Sequence, residues 1–336
     1  MTLAIRLLAI VVLGMSVSFL ETAKAGAETT PRKLTLFAVP SPTLDAIWMA
    51  AAKGYFKQEG LEVDIKLFPS GTTALQTFRA GGGDIIFAGE LPALNYWHTS
   101  GKQFQFIAVL NRNSRELSAP ALKDIKGPAD LKGKKIGTRV GSTGSWFIAE
   151  YLAKHKLSPS DVTVVNLDNP SLPVALCGRD IHAYFTFHPF TKRAHDICPD
   201  RVHNLVESAE GYIRGYGILG VRPAWIKDSQ NRESVEAFLR AMLKGQEFAK
   251  SNLDDVVAEL GKRFSLPESD ITFTWSIMER DNGFDQTFYQ DFCRLSAWME
   301  SAGLAKSPIN FQELLYPDAL TAIDPKLVVA PPKTCS

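Results

Sequence analysis

The sequence predicts an α/β protein with parallel-type sheets flanked by helices and a helical carboxyl-terminal part. Three observations carry this. From Leu34 onward short apolar runs alternate with longer segments of helical spacing. Almost every apolar run ends in a glycine, serine, threonine or proline turn, the rhythm of βαβ units. From Arg222 strands give way to consecutive helical segments.

Residues 33–39 (KLTLFAV) read as the first strand. A proline turn follows, and Leu44, Ile47, Trp48 and Ala51 then share one helical face until Gly54. Residues 61–68 alternate apolar and polar, a half-buried strand. The next helix starts at Gly71-Thr72-Thr73 and stops at Gly81. Residues 84–89 (DIIFAG) form a short buried strand, and Glu90-Leu91-Pro92 opens a helix with proline in its first turn, where a missing N–H costs nothing. A fourth strand spans 104–110.

The polar passage 111–134 interrupts the pattern and reads as a crossing between two domains. A second α/β unit follows. Its strands are expected at 135–140, 162–167, 182–187 and 202–206, with helices between them, and 215–221 reads as a strand leading back. The expected organisation is lobe 1 from 32–112 plus 222–330 and lobe 2 from 113–221.

Residues 1–25 stand apart. Arg6 precedes an apolar stretch from Leu7 to Leu20 and then Ala23-Lys24-Ala25, the pattern of an export signal cut near Ala25. Without Arg6, Lys24 and Glu21, the 37 basic and 36 acidic residues fall to 35 of each. A balanced chain argues against broad capture of nucleic acid or anionic membrane, so any anion must be bound locally. Four cysteines in an exported chain admit three pairings. The favoured one joins Cys177 to Cys198 and Cys293 to Cys335, against the alternative of free buried thiols. No metal-binding spacing is present, and neither a metal nor a cofactor is expected.

The turns at strand ends carry the functional reading. In an open parallel sheet such loops form the ligand crevice, and the helices leaving them point their N-termini into it. Gly71-Thr72-Thr73, Gly89-Glu90 and Gly141-Ser142-Thr143-Gly144 each offer backbone N–H groups or hydroxyls. The competing reading is ordinary helix capping. Nucleotide chemistry is disfavoured, because the turn after Val140 lacks the phosphate-loop lysine and its glycines do not make G-x-G-x-x-G. There is no G-x-S-x-G elbow. His188, between a strand and Pro189, is placed to reach the crevice; His182 and His195 are not.

Residues 50–94, 130–152, 174–190 and 234–249 together resemble, in order, the nitrate, sulfonate and taurine solute-binding proteins of ABC importers. The resemblance implies a two-lobed type II periplasmic binding protein fold closing on a small anionic solute, delivery to a membrane permease, and no catalysis. It implies a periplasmic monomer without nucleic-acid partners. Carried over position by position, it places Ser41, Pro42, Thr43 and Trp48, then Gly71, Thr72, Thr73, Gly89 and Glu90, at the cleft from the first lobe. From the second come Gly141, Ser142, Thr143, Trp146 and His188, with Tyr216 on the returning strand. His188 departs from relatives that often carry an acidic residue there, and it could donate to an anion or tune the cleft with pH.

Glu90 cuts against a bare anion. A carboxylate beside a sulfonate is costly unless it pairs with a cation or accepts from an amino group on the solute. An amino-sulfonate or a neutral heterocycle therefore stays open. A related branch binds thiamine-precursor pyrimidines, for which Trp48, Tyr96, Trp97, Trp146 and Tyr216 could supply stacking faces. A sensor-type receptor using the same cleft is the remaining alternative.

Overall fold

The computed structural model describes residues 30–333 and 335; the expected export signal lies outside them. In chain order, β1 (Arg32–Ala38) leads through α1 (Asp45–Ala52) and α2 (Tyr55–Gln58) to β2 (Leu61–Leu67). Next come α3 (Gly71–Arg79), β3 (Ile85–Gly89), α4 (Glu90–Thr99) and β4 (Gln105–Asn113). The chain then crosses to β5 (Leu117–Leu122), β6 (Lys135–Thr138), α5 (Thr143–Lys154), β7 (Thr163–Asn166) and α6 (Leu172–Cys177). β8 (Ala183–Tyr184), β9 (Thr186–Phe187), α7 (Phe190–Ile197) and β10 (Val202–Val206) complete that part, and β11 (Gly215–Val221) returns. Six helices close the chain: α8 (Ser229–Ser251), α9 (Leu253–Phe264), α10 (Glu268–Ile277), α11 (Gln286–Ser301), α12 (Phe311–Leu314) and α13 (Asp318–Ile323).

The strands form two sheets. The first has the order β2-β1-β3-β11-β4, and the second β10-β5-β8-β6-β7 with β9 beside β5. Strands joined through helices run parallel, β1 with β2 and β3, and β6 with β7 and β8. β11 runs antiparallel to β3 and β4, and β5 antiparallel to β8 and β10. The antiparallel strands are those entering from the other sheet, where no crossover helix dictates direction. The molecule is thus an α/β protein with two sheets flanked by helices and a helical carboxyl-terminal part.

Two readings of the sequence need correction. The polar passage 111–134 conceals β5, whose six residues are all buried. A strand covered on both faces shows no alternation, and Pro120 disguised it further. Proline is accommodated there because the pairing with β10 shifts register between Asn204 and Val206. The boundary at Val221 is also displaced: β11 lies between β3 and β4 in the first sheet, so the chain has returned by Gly215. The crossings, residues 114–116 and 207–214, run side by side, joined by the Ala209 N–H donating to the Ser114 carbonyl at 2.9 Å.

The long helix α8 packs beneath α1. A Cβ at Gly245 would lie 2.1 Å from the Ala46 carbonyl oxygen, so only glycine permits this approach. Phe56 of α2 stacks on Phe238 of α8 at 5.2 Å. Cys177 is bonded to Cys198 and Cys293 to Cys335. The first pair ties α6 to the end of α7, and the second anchors the tail to α11. Among the described residues, no helix is long and apolar enough to cross a membrane.

Candidate functional site

The carboxyl ends of the parallel strands in both sheets meet at one cavity of about 150 Å3. The first sheet contributes Val39, Pro40, Ser41 and Thr43 after β1, Pro69 to Thr72 after β2, and Gly89, Glu90 and Pro92 after β3. Asn111 and Asn113 come from the end of β4, Gly215 to Gly217 from β11, Glu116 from the crossing and Leu117 from the start of β5. The second sheet adds Arg139, Ser142 and Thr143 after β6, Asn169 after β7, and Phe187 and Phe190 around the end of β9. The two sides nearly touch: a Cβ at Gly89 would stand 3.2 Å from Thr143 Oγ1.

The residues singled out from sequence divide accordingly. Ser41, Thr43, Gly71, Thr72, Gly89, Glu90, Ser142, Thr143 and Tyr216 line the cavity. Pro42, Trp48, Thr73, Gly141, Trp146 and His188 do not. Pro42 is buried inside a single 3-10 turn. Trp48 is 1% exposed and braces the β1 loop from below, its Nε1 donating to the Ser41 carbonyl at 3.1 Å. Thr73 is consumed by capping, its N–H donating to Ser70 Oγ. Trp146 is likewise in the core, with Nε1 donating to Glu150. Gly141 takes the left-handed conformation, φ 78°, that lets the chain turn from β6 into α5. The stacking candidates Tyr96 and Trp97 are also core residues.

His188 belongs to a separate crevice of about 470 Å3, where Lys192, His195, Glu207 and Asp270 are its neighbours. Its Nε2 lies 3.7 Å from Asp270 Oδ1. Burial pushes the imidazole below its usual pKa, and Asp270 pulls it back upward.

The helix starts are less open to an anion than the sequence suggested. At α5 the Gly141 N–H donates to Ser145 Oγ, the Ser142 N–H to the Arg139 carbonyl, and the Gly144 N–H to Ser142 Oγ. At α4 the first N–H groups, of Glu90 and Leu91, favour the carboxylate of Glu90 itself. At α3 Gly71 and Thr72 line the cavity in the first turn beyond the Ser70 cap, as Thr143 does at α5. Tyr216 is a wall rather than a stacking platform, because its hydroxyl donates to Asp291 at 2.7 Å and its ring packs on Phe288 and Phe292.

Glu90 dominates the electrostatics. β3 ends one residue earlier, so the next rung of β11, the Tyr216 N–H, lacks a strand partner and donates to Glu90 Oε2 at 2.9 Å. Among the described residues Oε1 has no hydrogen-bond partner, although the residue is 1% exposed. Burial raises its pKa to about 7 against the opposing pull of the Tyr216 N–H and the nearby Thr143 hydroxyl. Glu116 is pushed to about 8 by burial and by the charge of Glu90. Two further lining groups lack partners, Asn113 Nδ2 and Arg139 Nε. Asn111, Asn113, Glu116, Arg139 and Asn169 were missed from sequence. The strand-end rule would have found Asn111, Asn113, Arg139 and Asn169; Glu116 lay in a passage read as linker.

The family described as NMT1/THI5 like matches residues 41–255. This chain belongs to that family. A protein of Brucella abortus (strain 2308) named only as a binding protein is similar to this NMT1/THI5-like chain, 24% identical over 284 residues and 83% of each. The taurine-binding periplasmic protein of Escherichia coli (strain K12) is 25% identical over 230 residues, 65% of this chain and 68% of its own. The periplasmic aliphatic sulphonate binding protein SsuA of Escherichia coli shares the fold with a TM-score of 0.72 at 14% identity, covering 85% of this chain and 98% of that one. So does the periplasmic nitrate-binding protein NrtA of Synechocystis PCC 6803, with 0.71 at 17%, covering 91% and 92%. The NMT1/THI5-like fold here also matches the desulfurization enzyme DSZB, with 0.67 at 15%, covering 87% and 98%. Architecture alone therefore does not separate binding from turnover.

Proposed function

We propose that this protein is the exported, periplasmic solute-binding component of an ABC-type importer. It captures a small solute with an anionic head, of the sulfonate, taurine or nitrate type, between lobes built on the two sheets. The observation that carries the reading is the cavity itself: strand ends from both sheets converge on it, and it contains unpartnered buried polar atoms on Glu90, Asn113 and Arg139. Buried polar atoms without partners are unfavourable, so a solute that supplies the missing bonds stabilises the closed arrangement. The anionic head would lie toward the α3 start at Gly71 and Thr72 and toward Arg139. The crossings 114–116 and 207–214 would act as hinges, and the permease would read the closed form.

Relatives named as binding proteins support binding rather than catalysis. Consumption of any bound compound would overturn that part. A second reading, a pyrimidine or other heterocycle, is favoured by the rings of Phe87, Phe187 and Phe190 on the cavity wall. The test is calorimetry on Thr72→Ala combined with Ser142→Ala, with melting curves to confirm folding after loss of the Ser142 cap. Affinity should fall at least about tenfold, or 1.4 kcal/mol. Unchanged affinity would move the site elsewhere.

A further inference from the structure

We propose that Glu90 and Glu116 form a seat for a protonated nitrogen, so that this protein takes solutes bearing an ammonium or amidinium group and rejects nitrate and amine-free sulfonates. The inference rests on the cavity being the solute site and adds to it the chemistry of the second end.

Charge counting inside the cavity comes first. Its lining holds two carboxylates, Glu90 and Glu116, and one cation, Arg139. That cation is already engaged, with Nη1 3.3 Å from Asp168 Oδ1. With both carboxyls ionised, a simple anion entering this space would meet more negative than positive charge in a partly desolvated volume, where such repulsion is strongest. Nitrate, with no positive end, has nothing to offset it.

Hydrogen-bond accounting points the same way. Glu90 is 1% exposed, and its Oε1 is an acceptor without a donor. The α4 start that faces this carboxylate is electropositive, yet the acid there belongs to the protein, so that position is closed to a ligand anion. A nitrogen carrying two or more N–H groups could donate to Glu90 and Glu116 together, and bonds from a charged donor to a carboxylate are the strong ones. Burial raises both carboxyls, helped at Glu116 by the charge of Glu90, and a bound cation would draw them toward the ionised form. Phe87, Phe187 and Phe190 supply ring surface that tolerates an organic cation better than a hydrated anion.

The experiment is calorimetry near neutral pH with 2-aminoethanesulfonate, ethanesulfonate, nitrate and benzamidinium against the purified protein and its Glu90→Gln and Glu116→Gln variants. The amino-sulfonate should bind at least about tenfold more tightly than ethanesulfonate, and each variant should lose about tenfold of its affinity, the worth of one charge-assisted bond. Ethanesulfonate should not weaken in either variant. Nitrate or ethanesulfonate binding as tightly as the amine, or variants that hold the amine unchanged, would overturn the seat while leaving the anion-binding reading intact. Benzamidinium binding that weakens in both variants, with no sulfonate bound, would keep the seat and overturn the anionic head. No binding by either nitrogen cation would overturn the seat. Glu116→Gln, at a half-buried crossing residue, carries the test should Glu90→Gln fail to fold.

Discussion

Asp45 and Glu90 occupy equivalent places: each is the first residue of a helix leaving the first sheet, and each is buried, 3% and 1% exposed. Burial raises the pKa of both. Their surroundings differ. Asp45 accepts from the Arg280 guanidinium, itself 9% exposed, and the pair ties α1 to the segment after α10. Glu90 accepts from the Tyr216 N–H on Oε2, with the Thr143 hydroxyl and the first α4 N–H groups nearby, and among the described residues it has no cation beside it. The difference teaches that burial by itself does not mark function. A buried acid with a cation serves the fold, and one without is available to a solute.

The largest effect expected from this contrast is at Asp45. Asp45→Ala leaves a buried guanidinium uncompensated and should cost about 3–5 kcal/mol, read from urea unfolding. A loss below about 1 kcal/mol would mean that the pair is not structural.

Glu90 should behave oppositely. Its folded pKa, about 7, lies above the ordinary 4.5, so the folded chain holds more protons than the unfolded one between those values. Stability is therefore fully present below pH 4.5 and falls as pH rises through 7, by up to about 3 kcal/mol at 1.4 kcal/mol per pH unit. Glu90→Gln should remove that fall and leave the solute-free protein more stable than wild type on the alkaline side. Urea unfolding at a series of pH values measures this, and a steeper fall in the variant would contradict it.

Asp270 is the intermediate case and the smallest effect. It is 3% exposed, with His188 at 3.7 Å and Lys192 at 3.6 Å as loose partners. Asp270→Asn should lower the His188 pKa further, visible in imidazole proton shifts by NMR, while stability changes by less than about 1 kcal/mol because Lys192 keeps its solvent. An upward shift of His188 would show that Asp270 does not act on it electrostatically.

Much of the scaffold was legible in the residues. The alternation of 61–68, the short apolar run of 84–89 and the turns at Gly71 and Gly141 place strands and helix starts near their observed positions, because hydrophobic pattern and turn chemistry are local properties. β5 was not legible, since a strand buried on both faces has no alternation and Pro120 reads as a break. Trp48 and Trp146 looked like ligand contacts but are core residues: helical spacing tells which residues share a face, not what that face meets. Glu116 was hidden for the converse reason, an acid in a polar passage that becomes a lining residue only when the crossing folds against the cavity.

The sequence by itself determined the α/β alternation, the helical end of the chain and the strand-end turns, which follow from spacing and from the backbone freedom of glycine. Only the tertiary structure decided which buried acids have partners, since the guanidinium that neutralises Asp45 stands 235 positions away. Whether a charge is satisfied depends on distances between segments far apart in the chain, and no local pattern encodes them.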